Sequence, residues 1–171
     1  MKIRLIVVLS LIVLAVFSVG NIALGQDEAT ESVTTSYYGT YKGLPLGPDS
    51  RYVTWESFGV LISDTSKGLF HGTTIHCMGT SLYGKESWDS ESYCAYTMKD
   101  GEKVFSTGKM GGKVAKPPVP GKGTAKFIGG TGKYSGIQGG TEFVTYSLRP
   151  PSDGTMHVYN KVKMTYKLPT N

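Results

Sequence analysis

Residues 155–168, Thr155-Met156-His157-Val158-Tyr159-Asn160-Lys161-Val162-Lys163-Met164-Thr165-Tyr166-Lys167-Leu168, change character at almost every step. Met156, Val158, Val162, Met164, Tyr166 and Leu168 fall on one parity together with Asn160, while His157, Tyr159, Lys161, Lys163, Thr165 and Lys167 fall on the other. Successive side chains of a strand point to opposite faces, so a period of two predicts a strand with one core face and one wet face. Asn160 breaks the pattern. A carboxamide among six apolar neighbours must be hydrogen-bonded to the wall, to water or to a ligand. It is therefore a candidate ligand-binding residue, and Tyr166 on the same face is another.

The same reading extends backwards through the chain. β-branched and aromatic residues recur in short runs over 36–44, 52–63, 69–78, 92–98, 103–107, 124–128, 137–148 and 155–168, and no segment after residue 26 holds an apolar 3.6 period for three turns. Turn-forming clusters separate the runs, among them Asp64-Thr65-Ser66-Lys67-Gly68, Lys99-Asp100-Gly101-Glu102 and Pro150-Pro151-Ser152-Asp153-Gly154. The expected fold is all-β: a single eight-stranded antiparallel β-barrel over residues 35–171, preceded by a disordered polar segment over 26–34. The 23 glycines show no Gly-X-Y period, and two cysteines cannot build a disulfide knot, so fibrous and disulfide-rich classes are excluded.

One run is ambiguous. Over 52–62, Tyr52, Thr54, Glu56, Phe58, Val60 and Ile62 share one face and Val53, Trp55, Ser57, Gly59 and Leu61 the other, so neither is cleanly polar. Either both faces are partly buried or a bulge near Ser57-Phe58-Gly59 switches the inward set. If the first set faces inward, Glu56 is a carboxylate in an apolar environment and a candidate ligand-binding or proton-transfer group. If not, it is a solvated outer residue.

The first 25 residues read as a secretory signal peptide. Lys2 and Arg4 precede an apolar run from Leu5 to Phe17, and Ala23-Leu24-Gly25 gives a small-x-small cleavage pattern, so the mature chain is expected to begin at Gln26. The run is shorter than the ~20 residues that span a bilayer. These features predict a secreted or periplasmic protein with no membrane span in the mature chain. In an oxidising compartment the two cysteines, Cys77 and Cys94, are expected to form one disulfide. A catalytic Cys–His pair is disfavoured because His76 adjoins Cys77 and points to the opposite side of a strand.

Losing Lys2 and Arg4 lowers the net charge from +5 to +3. No acid lies between Glu102 and Glu142, yet seven lysines do. Lys109, Lys113, Lys116 and Lys122 fall in or beside the longest segment without strand pattern, expected to be a loop at one mouth of the barrel. They either keep a Gly/Pro-rich loop soluble or meet an anionic partner such as a ligand, glycan or lipid head group. With few arginines in an exported chain, no nucleic-acid partner is expected.

Other chemistries fail on spacing. Gly130-Thr131-Gly132-Lys133 lacks the earlier glycine and the following Ser or Thr of a phosphate loop and reads as a turn. His71, His76 and His157 offer no metal-ligand spacing, and there is no Gly-x-Ser-x-Gly elbow. No metal, cofactor or catalytic residue is assigned.

The stretch from Gly123 to Gly139, with Phe127, Gly129, Gly130, Thr131, Gly132, Tyr134 and Gly136, resembles the strand-turn-strand signature of the allene oxide cyclase-like and dirigent-like, calycin-type barrels, as in a bacterial-type exported member. Its glycines suit a tight turn beneath which Phe127 and Tyr134 can pack. The resemblance implies a barrel able to hold an apolar or aromatic molecule, and no catalytic residue of those families is carried over. Three readings of function stand open. One is an exported barrel that binds a small apolar or aromatic ligand without catalysis; another is a cyclase or isomerase acting on an unsaturated apolar substrate in the lumen, with Glu56 and Asn160 as its polar groups, and a purely structural exported protein whose barrel is filled by its own side chains is a third.

Overall fold

The computed structural model describes residues 28–115, 120–148 and 154–170. The expected signal peptide and Lys116 lie outside them. The chain forms β1 (Ala29–Gly47), β2 (Ser50–Ser63), β3 (Thr74–Tyr83), β4 (Ser87–Thr97), β5 (Lys103–Lys113), β6 (Gly121–Gly130), β7 (Gln138–Ser147) and β8 (Thr155–Lys167), with one 3-10 turn at Gly132–Tyr134. Every strand pairs antiparallel with its sequence neighbour, and β8 returns to β1, so the sheet is a closed eight-stranded barrel. Closure leaves no exposed strand edge.

Three expected boundaries move, each for a physical reason. Ala29 to Thr34, read as part of a disordered lead-in, are the first residues of β1 and pair with Tyr166 to Lys161 of β8. Their polar composition hid them, because what orders them is the ladder that closes the barrel. Leu69 and Phe70, read as the start of a strand, instead sit in the loop between β2 and β3, where Gly68 (φ 108°) and Gly72 (φ 74°) reverse the chain. The third shift shortens the Lys-rich loop: β5 runs on to Lys113 and β6 starts at Gly121, so half of that segment belongs to the wall.

The Phe70 loop plugs one end of the barrel. Phe70 is fully buried, stacks on Phe127 and meets Tyr96 and Tyr166 edge-on. Glu31 of β1 holds the loop in place: its Oε1 accepts the Leu69 N–H at 2.6 Å and its Oε2 the Phe70 N–H at 3.2 Å, while the Tyr166 hydroxyl donates to the same carboxylate. Leu61, Val33, Val104 and Met164, all fully buried, belong to the same core cluster as Phe70.

Higher up, large side chains face glycines. Tyr37 pairs with Gly59, Trp55 with Gly79, Trp88 with Gly112 and Phe143 with Gly123, each across neighbouring strands. At Gly79 a Cβ would fall within contact distance of both the Trp55 ring and the Glu91 carbonyl. The glycine thus lets the indole lie along the wall instead of across the lumen. Gly79→Val should cost about 1–3 kcal/mol through overpacking and displace Trp55, read as a lower denaturation midpoint with a shifted tryptophan emission.

β2 keeps a single register along the ambiguous run. It shows no bulge near Ser57, and Val53, Trp55, Ser57, Gly59 and Leu61 face inward. The outer face of β1–β4 therefore exposes Tyr38, Phe58, Val60, Ile62, Met78 and Tyr93.

Candidate functional site

The plug closes one end, and a cavity of about 650 Å³ fills the rest of the lumen up to the opposite mouth. Both tryptophans, Trp55 and Trp88, line it together with Tyr37, Tyr83, Tyr96, Phe143 and the methionines 110, 156 and 164. A small closed barrel either fills with its own side chains or encloses a ligand cavity. Here the glycine pairings hold the rings against the wall, and the centre stays open.

Polar groups in the wall are mostly engaged. Trp55 Nε1 donates to Ser81 Oγ at 3.1 Å and to Ser90 Oγ at 3.3 Å, Ser81 Oγ donates to Ser90 Oγ at 2.9 Å, and Ser90 Oγ donates to the Thr80 carbonyl at 2.7 Å. This chain fixes the indole orientation. Burial pushes the Tyr37 and Tyr96 hydroxyls well above the ordinary phenol range, so both stay neutral. Among the described residues the lining contains hydroxyls, thioethers, aromatic rings and, at the rim, Arg51 and Lys113, with no Asp, Glu or His.

Ser106 Oγ and Asn160 Oδ1 are the buried lining atoms without a hydrogen-bond partner among the described residues, and the larger polar group of the two is the carboxamide of Asn160. It lies in the lining between Thr35 of β1 and Thr145 of β7, is about nine-tenths buried, and its Oδ1 has no hydrogen-bond partner. A buried acceptor left unpaired costs about 1–3 kcal/mol, so this oxygen adds nothing to the stability of the wall as it stands. Asn160→Leu should then be as stable as the parent, or more stable by up to that amount, in urea unfolding. A clear loss of stability would assign the amide to the wall.

At the mouth, the Arg51 guanidinium lies 5.1 Å from the Tyr83 ring centroid, and Tyr83 stacks on Trp88 at 5.8 Å. Lys113, Val114 and Ala115 complete the rim. Of the four lysines expected there, Lys113 alone borders the cavity among the described residues. Lys109 is on the outer wall in an ion pair with Glu91 at 2.9 Å, and Lys122 is on the outer face of β6. The extension of β5 and β6 explains the correction, since strand alternation sends these side chains outward.

The structure separates the other expected ligand-binding residues from the lumen. Glu56 is on the outer wall, 2.7 Å from His76 Nε2, with Phe58 stacked on the same imidazole at 4.3 Å. The inward parity of β2 belongs to Trp55 and Ser57 instead. Tyr166 faces inward but at the plugged end, beneath the cavity, bonded to Glu31 and packed on Phe70. Trp55, Trp88 and Phe143 escaped the sequence reading, although a glycine on the facing strand marks each of them.

The disulfide joins Cys77 and Cys94 directly across β3 and β4, and both residues line the lumen. The turn at Gly129, Gly130, Thr131, Gly132 and Gly136 is at the plugged end. Gly129 (φ 139°) and Gly132 (φ 48°) take left-handed conformations, Thr131 Oγ1 accepts the Lys103 N–H at 2.8 Å, and Tyr134 is buried beneath. It connects β6 to β7. Among the described residues no three His, Cys, Asp or Glu side chains gather as a metal site, and no helix is long and apolar enough to cross a membrane.

Among solved structures, the chain is similar to a pterocarpan synthase dirigent protein, with a TM-score of 0.49 and 11% identity over 84% of this chain and 93% of that one. The likeness is one of fold. No protein-family model and no curated protein matches the chain.

Proposed function

We propose that this protein is an exported barrel that binds a small apolar or aromatic molecule in its lumen without transforming it. The observation that carries the reading is the open cavity of about 650 Å³, walled by aromatic and sulfur-bearing side chains around the unpaired Asn160 oxygen. Ligand sites are typically concave and apolar with a few placed polar groups. Such a lining suits a flat or hydrophobic body with a hydrogen-bond donor directed at Asn160. Export is supported by the leader-like sequence and by the disulfide.

Both tryptophans line the cavity, so the protein carries its own reporter. N-phenyl-1-naphthylamine should bind saturably at one site with energy transfer from Trp55 and Trp88. Asn160→Leu leaves room for this probe, whereas Trp88→Ala removes part of its platform and should weaken it. Native mass spectrometry of protein from the exported fraction, before and after organic extraction, should show a bound mass that extraction removes. Absence of saturable probe binding would overturn the reading, and turnover of an unsaturated epoxide would replace it with the cyclase or isomerase alternative.

A further inference from the structure

Strand alternation gathers on the outer wall of β6, β7 and β8 a set of lysines that are scattered in the sequence. Lys122 and Lys126 face outward from β6, and Lys161, Lys163 and Lys167 from β8, all exposed and none in an ion pair among the described residues. The registers Lys122 to Val144 to Lys161 and Thr124 to Glu142 to Lys163 place the two rows on either side of β7. Lysines two apart along β8 stand about 6.6 Å from each other, and the rows are about 9.5 Å apart across two strand spacings. Elsewhere on the wall the pattern differs: Lys109 is neutralised by Glu91, and the face of β2 and β3 exposes Phe58, Val60, Ile62 and Met78 around the paired Glu56 and His76.

Between the rows the wall is indented. An outer groove of about 530 Å³ is bordered by Lys122, Lys161 and Lys163, with Thr124, Ser32, Glu142 and Asp64 as its other polar groups. Lys161 Nζ is not spent on a carboxylate; it donates to Thr34 Oγ1 at 2.7 Å. The groove thus offers free cations at its sides, hydroxyls beside them and two carboxylate acceptors.

We propose that this wall is a docking surface for an anionic polysaccharide, whether carboxylated or sulfated. Its charges would meet the two lysine rows, and its sugar hydroxyls would donate to Glu142 and Asp64. Charge complementarity alone would also suit a lipid surface or a nucleic acid, but two features favour the polysaccharide. Among the described residues the exposed large apolar side chains of this wall are Ile128 and, just past β7, Leu148, at opposite ends, while Val144 and the stacked pair Tyr146 and Tyr159 are half-buried, so the groove has little to insert into an acyl layer. A nucleic acid carries a phosphate every ~3.4 Å of each strand, and the carboxylates in the groove would repel so dense a charge. A polysaccharide places hydroxyl-bearing rings between its anionic groups.

The test titrates the full mature protein with dextran sulfate and polygalacturonate, using neutral dextran, phosphatidylglycerol vesicles and single-stranded DNA for comparison. Both anionic polysaccharides should bind more tightly than any of the three others, and binding should weaken as salt rises, because exposed charges are screened over ~10 Å at 0.1 M. The triple substitution Lys122→Gln, Lys161→Gln, Lys163→Gln should weaken binding about tenfold or more, roughly a decade per 1.4 kcal/mol of lost interaction. Glu142→Ala should weaken polysaccharide binding by removing a hydroxyl acceptor and strengthen that of single-stranded DNA by removing a repulsive charge, and Lys109→Gln on the other wall should leave polysaccharide binding unchanged. Tighter binding to vesicles or DNA, no preference over neutral dextran, or an unaffected triple variant that melts like the parent would overturn the proposal.

Discussion

Phe70→Ala is expected to destabilise the barrel by about 3–5 kcal/mol, the range for deleting a buried aromatic ring. Phe70 has no exposed surface, and three aromatic rings lie within 6 Å of it, centroid to centroid: Phe127 at 5.7 Å, Tyr96 at 5.7 Å and Tyr166 at 5.4 Å. The upper part of the range is favoured because the site cannot collapse. Glu31 pins the backbone of Leu69 and Phe70 through two N–H bonds, so the loop stays where it is and the void remains. The floor of the lumen is then lost as well. Urea unfolding should show the lower stability, and N-phenyl-1-naphthylamine should report a deeper or leakier cavity. Phe70→Leu, which keeps most of the volume, should recover a large part of the loss. A Phe70→Ala change below about 1 kcal/mol would mean that the plug does not contribute to the core.

The second large effect concerns the bridge between Cys77 and Cys94. Their sequence separation of 17 closes a loop that contributes about 3 kcal/mol in the chain-entropy account. The two strands already pair in register on both sides of the bridge, from Thr74 with Thr97 to Tyr83 with Trp88. The double substitution Cys77→Ser, Cys94→Ser should therefore leave the native fold intact and act mainly on the unfolded chain. Its denaturation midpoint should fall by an amount equal to that produced by reducing the parent. A larger loss in the double variant than on reduction would show that the new hydroxyls disturb the lumen wall, where both sulfurs are found.

Where the sequence pattern was clean, it carried over without change. The alternation over residues 155–168 placed Asn160, Val162 and Met164 on the inner face of β8 and the lysines outside, and the structure has them so. The Gly129 to Gly136 turn and the cysteine pair were equally legible, because both depend on local backbone or on two residues alone. Glu56 was not legible. Its strand has apolar residues on both faces, so period two gave two answers, and only the pairing of Gly59 with Tyr37 and of Gly79 with Trp55 shows which side had to be small.

By itself the sequence determined an all-β chain, strands enough to close a barrel, one disulfide and an inward amide on the last strand, since each follows from spacing along a single segment. The tertiary structure decided which end is plugged, that the lumen stays open, that Glu56 and Tyr166 stand outside the cavity, and that five lysines from two strands form one wall. Those outcomes depend on register between strands far apart in the chain. A strand's own alternation fixes which side chains share a face, because a one-residue slip would turn them all over, but which residue stands opposite which on a strand far away in sequence is decided only when the sheet closes.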